Sequence, residues 1–106
     1  MKQALAYIEE NYDKDLNMAV ISNYVSMTYS LFSYAFKQYT GKNFVNYLKA
    51  LRVNEAKRLL EETDMRVIEI SQKVGYENEK HFMKLFKRQC GVSPTEYRKN
   101  MQFRER

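Results

Sequence analysis

The sequence is poor in the residues on which many kinds of protein chemistry depend. Its 106 residues include one cysteine, one histidine, one proline, three glycines and no tryptophan. A single cysteine excludes an internal disulfide, and a single histidine with no cysteine at ligand spacing indicates no metal site. The three glycines form no phosphate-binding loop, and no nucleophile motif is present. We therefore expect no cofactor, no metal and no enzymatic activity.

Long apolar segments and a targeting signal are also missing. No run approaches the roughly 18 apolar residues that a membrane span needs. The acidic, amphipathic start MKQALAYIEENY does not resemble a signal peptide. We expect a cytoplasmic protein without membrane contact. An apolar content of 44% is enough for the core of one compact domain or of two small lobes.

The chain contains an internal repeat. At an offset of 49 residues, Ile21, Ser22 and Val25 return as Ile70, Ser71 and Val74, so the second copy has one extra residue in the turn that follows. A short helix, a turn and a second helix closed by glycine are typical of a helix-turn-helix motif. At an offset of 50 residues, five residues recur in the second helix and beyond, as the pairs Phe32 and Phe82, Phe36 and Phe86, Lys37 and Lys87, Gly41 and Gly91, and Tyr47 and Tyr97.

Capping residues and apolar periodicity predict the helices between these features. The residues suited to cap the starts of helices are Asn17, Thr28, Asn43, Asn78 and, in a capping box with Glu96, Ser93. The longest predicted helix, 44–62, lacks internal glycine and proline, spans about 28 Å and should be a stiff connector. We expect a first helix-turn-helix lobe at 1–42, a linker helix at 43–63 and a second lobe at 64–106. The other predicted helices cover roughly residues 2–12, 18–25, 29–39, 66–74, 79–89 and 94–101.

Positive charge is concentrated in the second half of the chain. Residues 1–79 hold 10 basic and 11 acidic side chains, whereas residues 80–106 hold 8 basic and 2 acidic ones. In the predicted helix 79–89, three lysines lie opposite the side formed by Phe82, Leu85, Phe86 and Gln89. A solvated lysine face is the plainer interpretation. The second helix of such a motif lies in the DNA major groove, however, so we expect DNA contacts from Lys80, His81, Met83, Lys84, Lys87 and Arg88.

The equivalent helix of the first copy is polar but carries little charge. Phe32, Ala35, Phe36 and Tyr39 are predicted to form its buried side. A tyrosine ring can contact a thymine methyl group, and serine hydroxyls can hydrogen-bond several bases. We expect weaker electrostatics here and outward positions for Ser30, Ser33, Tyr34 and Lys37.

Two segments, FKQYTGKNFVNYLKALRVNEAKRLLEETD and ISQKVGYENEKHFMKLFKRQCGVSPTEYR, give the chain a family resemblance. Over almost its whole length it resembles the C-terminal DNA-binding domain of AraC/XylS transcriptional regulators. The resemblance implies an all-α, homeodomain-like fold of seven helices, in which two helix-turn-helix lobes flank a long central helix. It also implies sequence-specific binding of double-stranded DNA and regulation of transcription. The base-contacting positions of the family fall on Ser30, Ser33, Tyr34, Lys80, His81, Met83 and Lys84.

The chain departs from the family pattern at two places. Many relatives carry arginine where this chain has Tyr34, and arginine is the commonest specific reader of guanine. Guanine readout by the first lobe is therefore in doubt. Relatives often have Ser-Pro at Thr28-Tyr29, a change that should retain the helix cap but lose some preorganisation.

Family members often carry a separate sensory or dimerisation domain, and a smaller group consists of the isolated domain. We expect the 106-residue chain to be monomeric, with any dimerisation of a parent protein arising elsewhere. A rival hypothesis is a protein-interaction module in which Tyr29, Tyr34, Tyr76 and Met83 form the partner surface. In an intermediate case only the second lobe reads DNA, and the first grips the backbone or contacts RNA polymerase.

Overall fold

The computed structural model describes residues 1–104, and that range contains seven α-helices and no strand. The all-α prediction is confirmed, and α7 extends beyond its predicted end at 101. None of the helices in this range combines the length and the apolar character needed to cross a membrane. The helices are α1 (Lys2–Asn11), α2 (Met18–Tyr24), α3 (Tyr29–Thr40), α4 (Phe44–Glu62), α5 (Val67–Lys73), α6 (Glu79–Cys90) and α7 (Pro94–Arg104).

Five helices begin at a polar side chain that accepts a hydrogen bond from the backbone amide three residues later. The donor–acceptor distances lie between 2.9 and 3.2 Å. Each such cap satisfies an amide that the helix itself leaves unpaired and contributes about 1 kcal/mol. The predicted caps of α2, α3, α4, α6 and α7 are therefore confirmed at Asn17, Thr28, Asn43, Asn78 and Ser93.

Two glycines end α3 and α6 in the same way. Gly41 has a φ of 79° and Gly91 a φ of 81°, in the left-handed region that side chains disfavour. Their amides donate to the carbonyl oxygens of Lys37 and Lys87 at 2.9 and 2.8 Å. The sequence repeat is therefore also a repeat of backbone geometry.

The turns between the two helices of each motif differ by the one extra residue. Ser26 has a φ of 57° and is the one non-glycine residue with a positive φ in the described range. Its counterpart in the second motif is Gly75, with a φ of 105°. The amides of Met27 and Tyr76 each donate at 2.9 Å, to the carbonyl oxygens of Ser22 and Ser71 respectively.

The chain divides into two compact units, Met1–Leu51 and a second one from Arg52 onward, and the boundary lies within α4. In the first unit the ring of Phe36 packs edge-on against Tyr47, with centroids 5.2 Å apart. Burial, together with the Glu9 carboxylate, raises the pKa of the Tyr47 phenol. The buried core of this unit is formed by Ala4, Ile8, Leu16, Ile21, Phe32, Phe36, Phe44 and Leu48.

The second unit repeats this packing. The ring of Phe86 meets Tyr97 edge-on at 5.6 Å, as Phe36 meets Tyr47 in the first unit. The repeated phenylalanine and tyrosine therefore form equivalent contacts, which accounts for their recurrence in the sequence. The buried apolar residues of this unit include Val53, Ala56, Leu59, Leu60, Ile70, Val74, Phe82, Leu85 and Phe86.

Within the second unit, Arg98 joins α7 to the end of α4. Its Nε donates to the carbonyl oxygen of Leu60, and its Nη2 donates to that of Thr63, both at 3.1 Å. Carbonyl groups at a helix C-terminus lack intrahelical partners, and a cation there also interacts favourably with the helix dipole. The guanidinium group therefore fixes α7 against the last turn of α4.

The strained turn of the first motif gives a stability prediction. Ser26→Gly should raise the free energy of unfolding by roughly 0.5–1 kcal/mol, because glycine adopts a positive φ without a steric penalty from Cβ. Urea denaturation of the variant and the parent protein measures this change. Gly75→Ser is the matched exchange in the second motif and should lower the stability. A loss of stability in Ser26→Gly would contradict the assignment of strain to this turn.

Candidate nucleic-acid interface

Helix α6 separates apolar and basic side chains onto opposite faces. Phe82 and Phe86 have no exposed surface, and Leu85 is buried beside them. Burial of these residues turns Lys80, Lys84 and Lys87 to the exposed side, together with Arg88. Within residues 1–104 the ion pairs join Arg58 to Glu55 and Glu62, and Arg66 to Glu69. The lysines of α6 thus have no carboxylate partner there, which leaves them available to a polyanion.

The start of α6 is held by a cap and by an aromatic contact. Asn78 accepts a hydrogen bond from the amide of His81 at 3.1 Å. The exposed His81 side chain lies edge-on against the ring of Tyr76, with centroids 5.6 Å apart. The guanidinium group of Arg52 lies over the ring of Tyr76, with its central carbon 5.0 Å from the ring centroid. Met83 is half-buried, so the exposed part of this end of the helix is formed by Lys80, His81 and Lys84.

Tyr76 corrects one of the sequence hypotheses. It was expected on an exposed partner surface, yet its side chain is only 8% exposed. Burial raises the pKa of its phenol, and the nearby Arg52 opposes that effect. The turn between α5 and α6 folds the ring inward against Phe82, at 5.8 Å between centroids. Tyr76 therefore packs beneath the start of α6 and leaves almost no surface for a partner.

Helix α3 places its predicted site residues on one face, as α6 does, but these residues are mostly uncharged. Ser30, Tyr34 and Lys37 are exposed, Tyr34 to 67%, and Ser33 is half-buried. One outward residue was missed by the sequence analysis, since Leu31 is 55% exposed. The repeat contained the signal for it, because Leu31 lies fifty positions before the exposed His81.

The predicted buried sides of α3 and α6 each included one residue that is exposed in the structure. Tyr39 was expected to be buried but is 59% exposed, and Gln89 is exposed as well. These two residues occupy the same repeat position, in the last turn of their helices. The polar Gln89 was the available indication that this position faces water in both copies.

Metal-ligating clusters and an activated cysteine are two features on which catalysis can depend. Residues 1–104 contain no group of three or more histidine, cysteine or acidic side chains placed to hold a metal ion. The half-buried Cys90 has a thiol whose pKa is raised by burial, although the nearby Lys57 opposes the shift. A raised pKa keeps the thiol protonated near neutral pH and makes it a poor nucleophile.

Comparison with known families and proteins gives consistent matches. Residues 21–100 match the family described as helix-turn-helix domain. The chain is 35% identical over 99 residues to the HTH-type transcriptional regulator YdiP of Escherichia coli K12, covering 93% of this chain and 33% of that protein. It is 28% identical over 99 residues to the arabinose operon regulatory protein of the same strain, covering 92% and 34%. The chain thus spans about a third of the length of these curated relatives.

Solved structures of similar length match the fold closely. The C-terminal domain of the two-component response regulator yesN from Fusobacterium nucleatum is 31% identical with a TM-score of 0.88, over 92% of this chain and 95% of that one. The DNA-binding domain of AdpA, solved in complex with a target DNA, is 27% identical with a TM-score of 0.93, over 97% and 93%.

The exposed lysines of α6 should be dispensable for folding. Replacing Lys80, Lys84 and Lys87 together by glutamine is expected to change the free energy of unfolding by no more than about 0.5 kcal/mol, because all three are exposed and none forms an ion pair within residues 1–104. Urea denaturation at fixed ionic strength measures the change. Phe86→Ala is the comparison on the buried side and should cost about 3–5 kcal/mol. A large loss in the triple variant would give the lysines a structural role instead.

Proposed function

This chain belongs to the AraC-type family of helix-turn-helix domains, and from that premise we propose that it binds specific sequences of double-stranded DNA and thereby regulates transcription. Both α3 and α6 enter the major groove. The relatives support this proposal, since YdiP is a transcriptional regulator and the DNA-binding domain of AdpA was solved in complex with a target DNA. The proposal needs no cofactor and no catalytic activity, and it places the protein in the cytoplasm.

The observation that carries the proposal is the basic face of α6, which lies opposite buried phenylalanines and has no carboxylate partner within residues 1–104. A helix in the major groove brings its N-terminal residues to the base edges and its later residues to phosphate. Lys80, His81 and Lys84 are exposed at the start and the middle of α6. We assign them, with Met83, to bases and nearby phosphates, and we assign Lys87 and Arg88 to phosphate.

Helix α3 has the same role with weaker electrostatics. Ser30, Ser33 and Tyr34 are assigned to bases, and Lys37 is assigned to phosphate. The division into a first lobe at 1–42, a linker helix at 43–63 and a second lobe at 64–106 follows these roles. The isolated chain acts as a monomer, and dimerisation of a larger parent protein comes from a separate domain.

The interaction-module hypothesis is weakened by the positions of its residues. Of its four proposed contact residues, Tyr76 is buried and Met83 is half-buried, so no continuous surface remains in the second unit. Tyr29 and Tyr34 in the first unit are exposed. This exposure favours, as the second candidate, a protein in which α6 alone reads DNA and the first lobe contacts the DNA backbone or RNA polymerase.

Two lysines on α6 should have distinguishable effects on DNA binding. Lys84→Ala is expected to cost about 1–3 kcal/mol on the preferred sequence and to relax the preference at one base pair. Lys87→Ala should weaken all sequences alike, because a phosphate contact carries no sequence information. Binding isotherms on the preferred and on scrambled duplexes measure both effects. Lys2→Ala, an exposed lysine of α1, is the control and should change neither. Equal and negligible losses from the two α6 variants would contradict DNA reading by α6.

The salt dependence of binding separates DNA recognition from protein interaction. Neutralisation of about 4–7 phosphates predicts that the logarithm of the affinity falls with the logarithm of salt concentration, with a slope of about −4 to −6. A selection from randomised duplex DNA provides the ligand for this titration. Two separate enriched boxes indicate reading by both helices, and one box indicates reading by one. No enrichment, together with binding insensitive to salt, would overturn the proposed function.

A further inference from the structure

The outward face of α3 carries two large apolar side chains. Leu31 is 55% exposed and Tyr34 is 67% exposed, whereas Phe32 and Phe36 of the same helix have no exposed surface. Residues three apart in a helix are neighbours on its surface. Leu31 and Tyr34 therefore form one continuous apolar patch, which we call the apolar pair. Leu31 lies outside the buried core of its unit, so packing within the unit does not account for it.

The repeat places the apolar pair at the positions of the basic readers. Helices α3 and α6 both have 12 residues and begin fifty positions apart. Their caps receive the amides of Leu31 and His81, at 3.2 and 3.1 Å. Leu31 therefore corresponds to His81, and Tyr34 corresponds to Lys84. The two helices have equivalent backbones, but they offer opposite chemistry to the same kind of groove.

The major groove offers few partners to an apolar side chain. Its base edges consist of hydrogen-bond donors and acceptors, with one apolar group among them, the 5-methyl of thymine. Cytosine lacks this methyl group, and the purines present polar atoms at their edges. An exposed leucine and tyrosine ring would desolvate those polar atoms without compensation, whereas they lose nothing against a methyl group.

Resting on the proposed DNA binding, we propose that the apolar pair reads thymine 5-methyl groups, so that the box bound by α3 is defined by thymines. Leu31 thereby becomes a specificity-determining residue. The ring of Tyr34 takes part through its apolar face rather than through its hydroxyl group. Because this contact is apolar, its contribution to affinity is independent of salt, unlike that of the lysines on α6.

Replacement of single thymines by deoxyuridine tests the proposal, because it removes one methyl group and leaves every hydrogen-bonding atom of the base in place. In the selected duplex, each thymine that the apolar pair contacts should lose about fourfold in affinity on this change. The controls are thymines in the other box, the one whose base preference changes in Lys84→Ala. Replacement of these thymines by deoxyuridine should not lower the affinity. If no thymine in the duplex can be replaced by deoxyuridine with a loss of affinity, while binding is otherwise intact, the inference is overturned and the proposed DNA binding stands.

Variants of the apolar pair establish that these side chains carry the effect. In the double variant Leu31→Ala, Tyr34→Ala the affinities for the thymine and deoxyuridine duplexes should become equal. Tyr34→Phe should keep the discrimination, because it retains the ring. Gln38→Ala, an exposed change on the same helix, should keep it as well. Discrimination that survives in the double variant would assign the methyl effect to DNA shape or to another residue and would overturn the inference. If the unmodified chain does not bind DNA at all, the proposed function is overturned instead.

Discussion

The burial of two phenylalanines on each reading helix is the constraint on which the rest of the structure depends. Phe32 and Phe36 in α3, and Phe82 and Phe86 in α6, have no exposed surface. A spacing of four residues places both rings of a pair on one side, so their burial fixes the rotation of the helix about its axis. Truncation of one such ring typically costs about 3–5 kcal/mol. The opposite face is consequently presented to solvent in a defined orientation, whatever residues it carries.

This constraint separates the scaffold from the reading surface. The helix caps, the closing glycines and the edge-on contact between phenylalanine and tyrosine recur in both units with nearly the same geometry. None of these features depends on the outward residues. The face of α6 could therefore become basic while the face of α3 became polar and apolar, at little cost to folding. Two exposed helix faces of different chemistry on one repeated scaffold are the result.

The sequence was most informative where a local rule determines the structure. Asn17, Thr28 and Asn78 were identified as caps because a short polar side chain before an apolar pattern satisfies a free amide. Helical periodicity was less reliable at the edges of the buried face. It placed Tyr39 inside, because a tyrosine near the apolar side fits the pattern equally well buried or exposed. Periodicity gave no direction for Tyr76, because the residue lies in a turn, and the interaction-module hypothesis wrongly placed it on the surface.

The amino-acid sequence alone determined the repeat, the bounds of most helices, the segregation of charge and the family resemblance, since each of these depends on residues close together in the chain. The tertiary structure decided which side chains remain at the surface. Leu31 is exposed and Tyr76 is buried because burial depends on the packing of neighbouring helices and turns, which residue type and spacing do not specify. The chemistry of the proposed DNA-binding surface is that of the side chains left outside by that packing. The sequence analysis placed Tyr34 outward, whereas the exposure of Leu31, which completes the apolar pair, was decided by that packing.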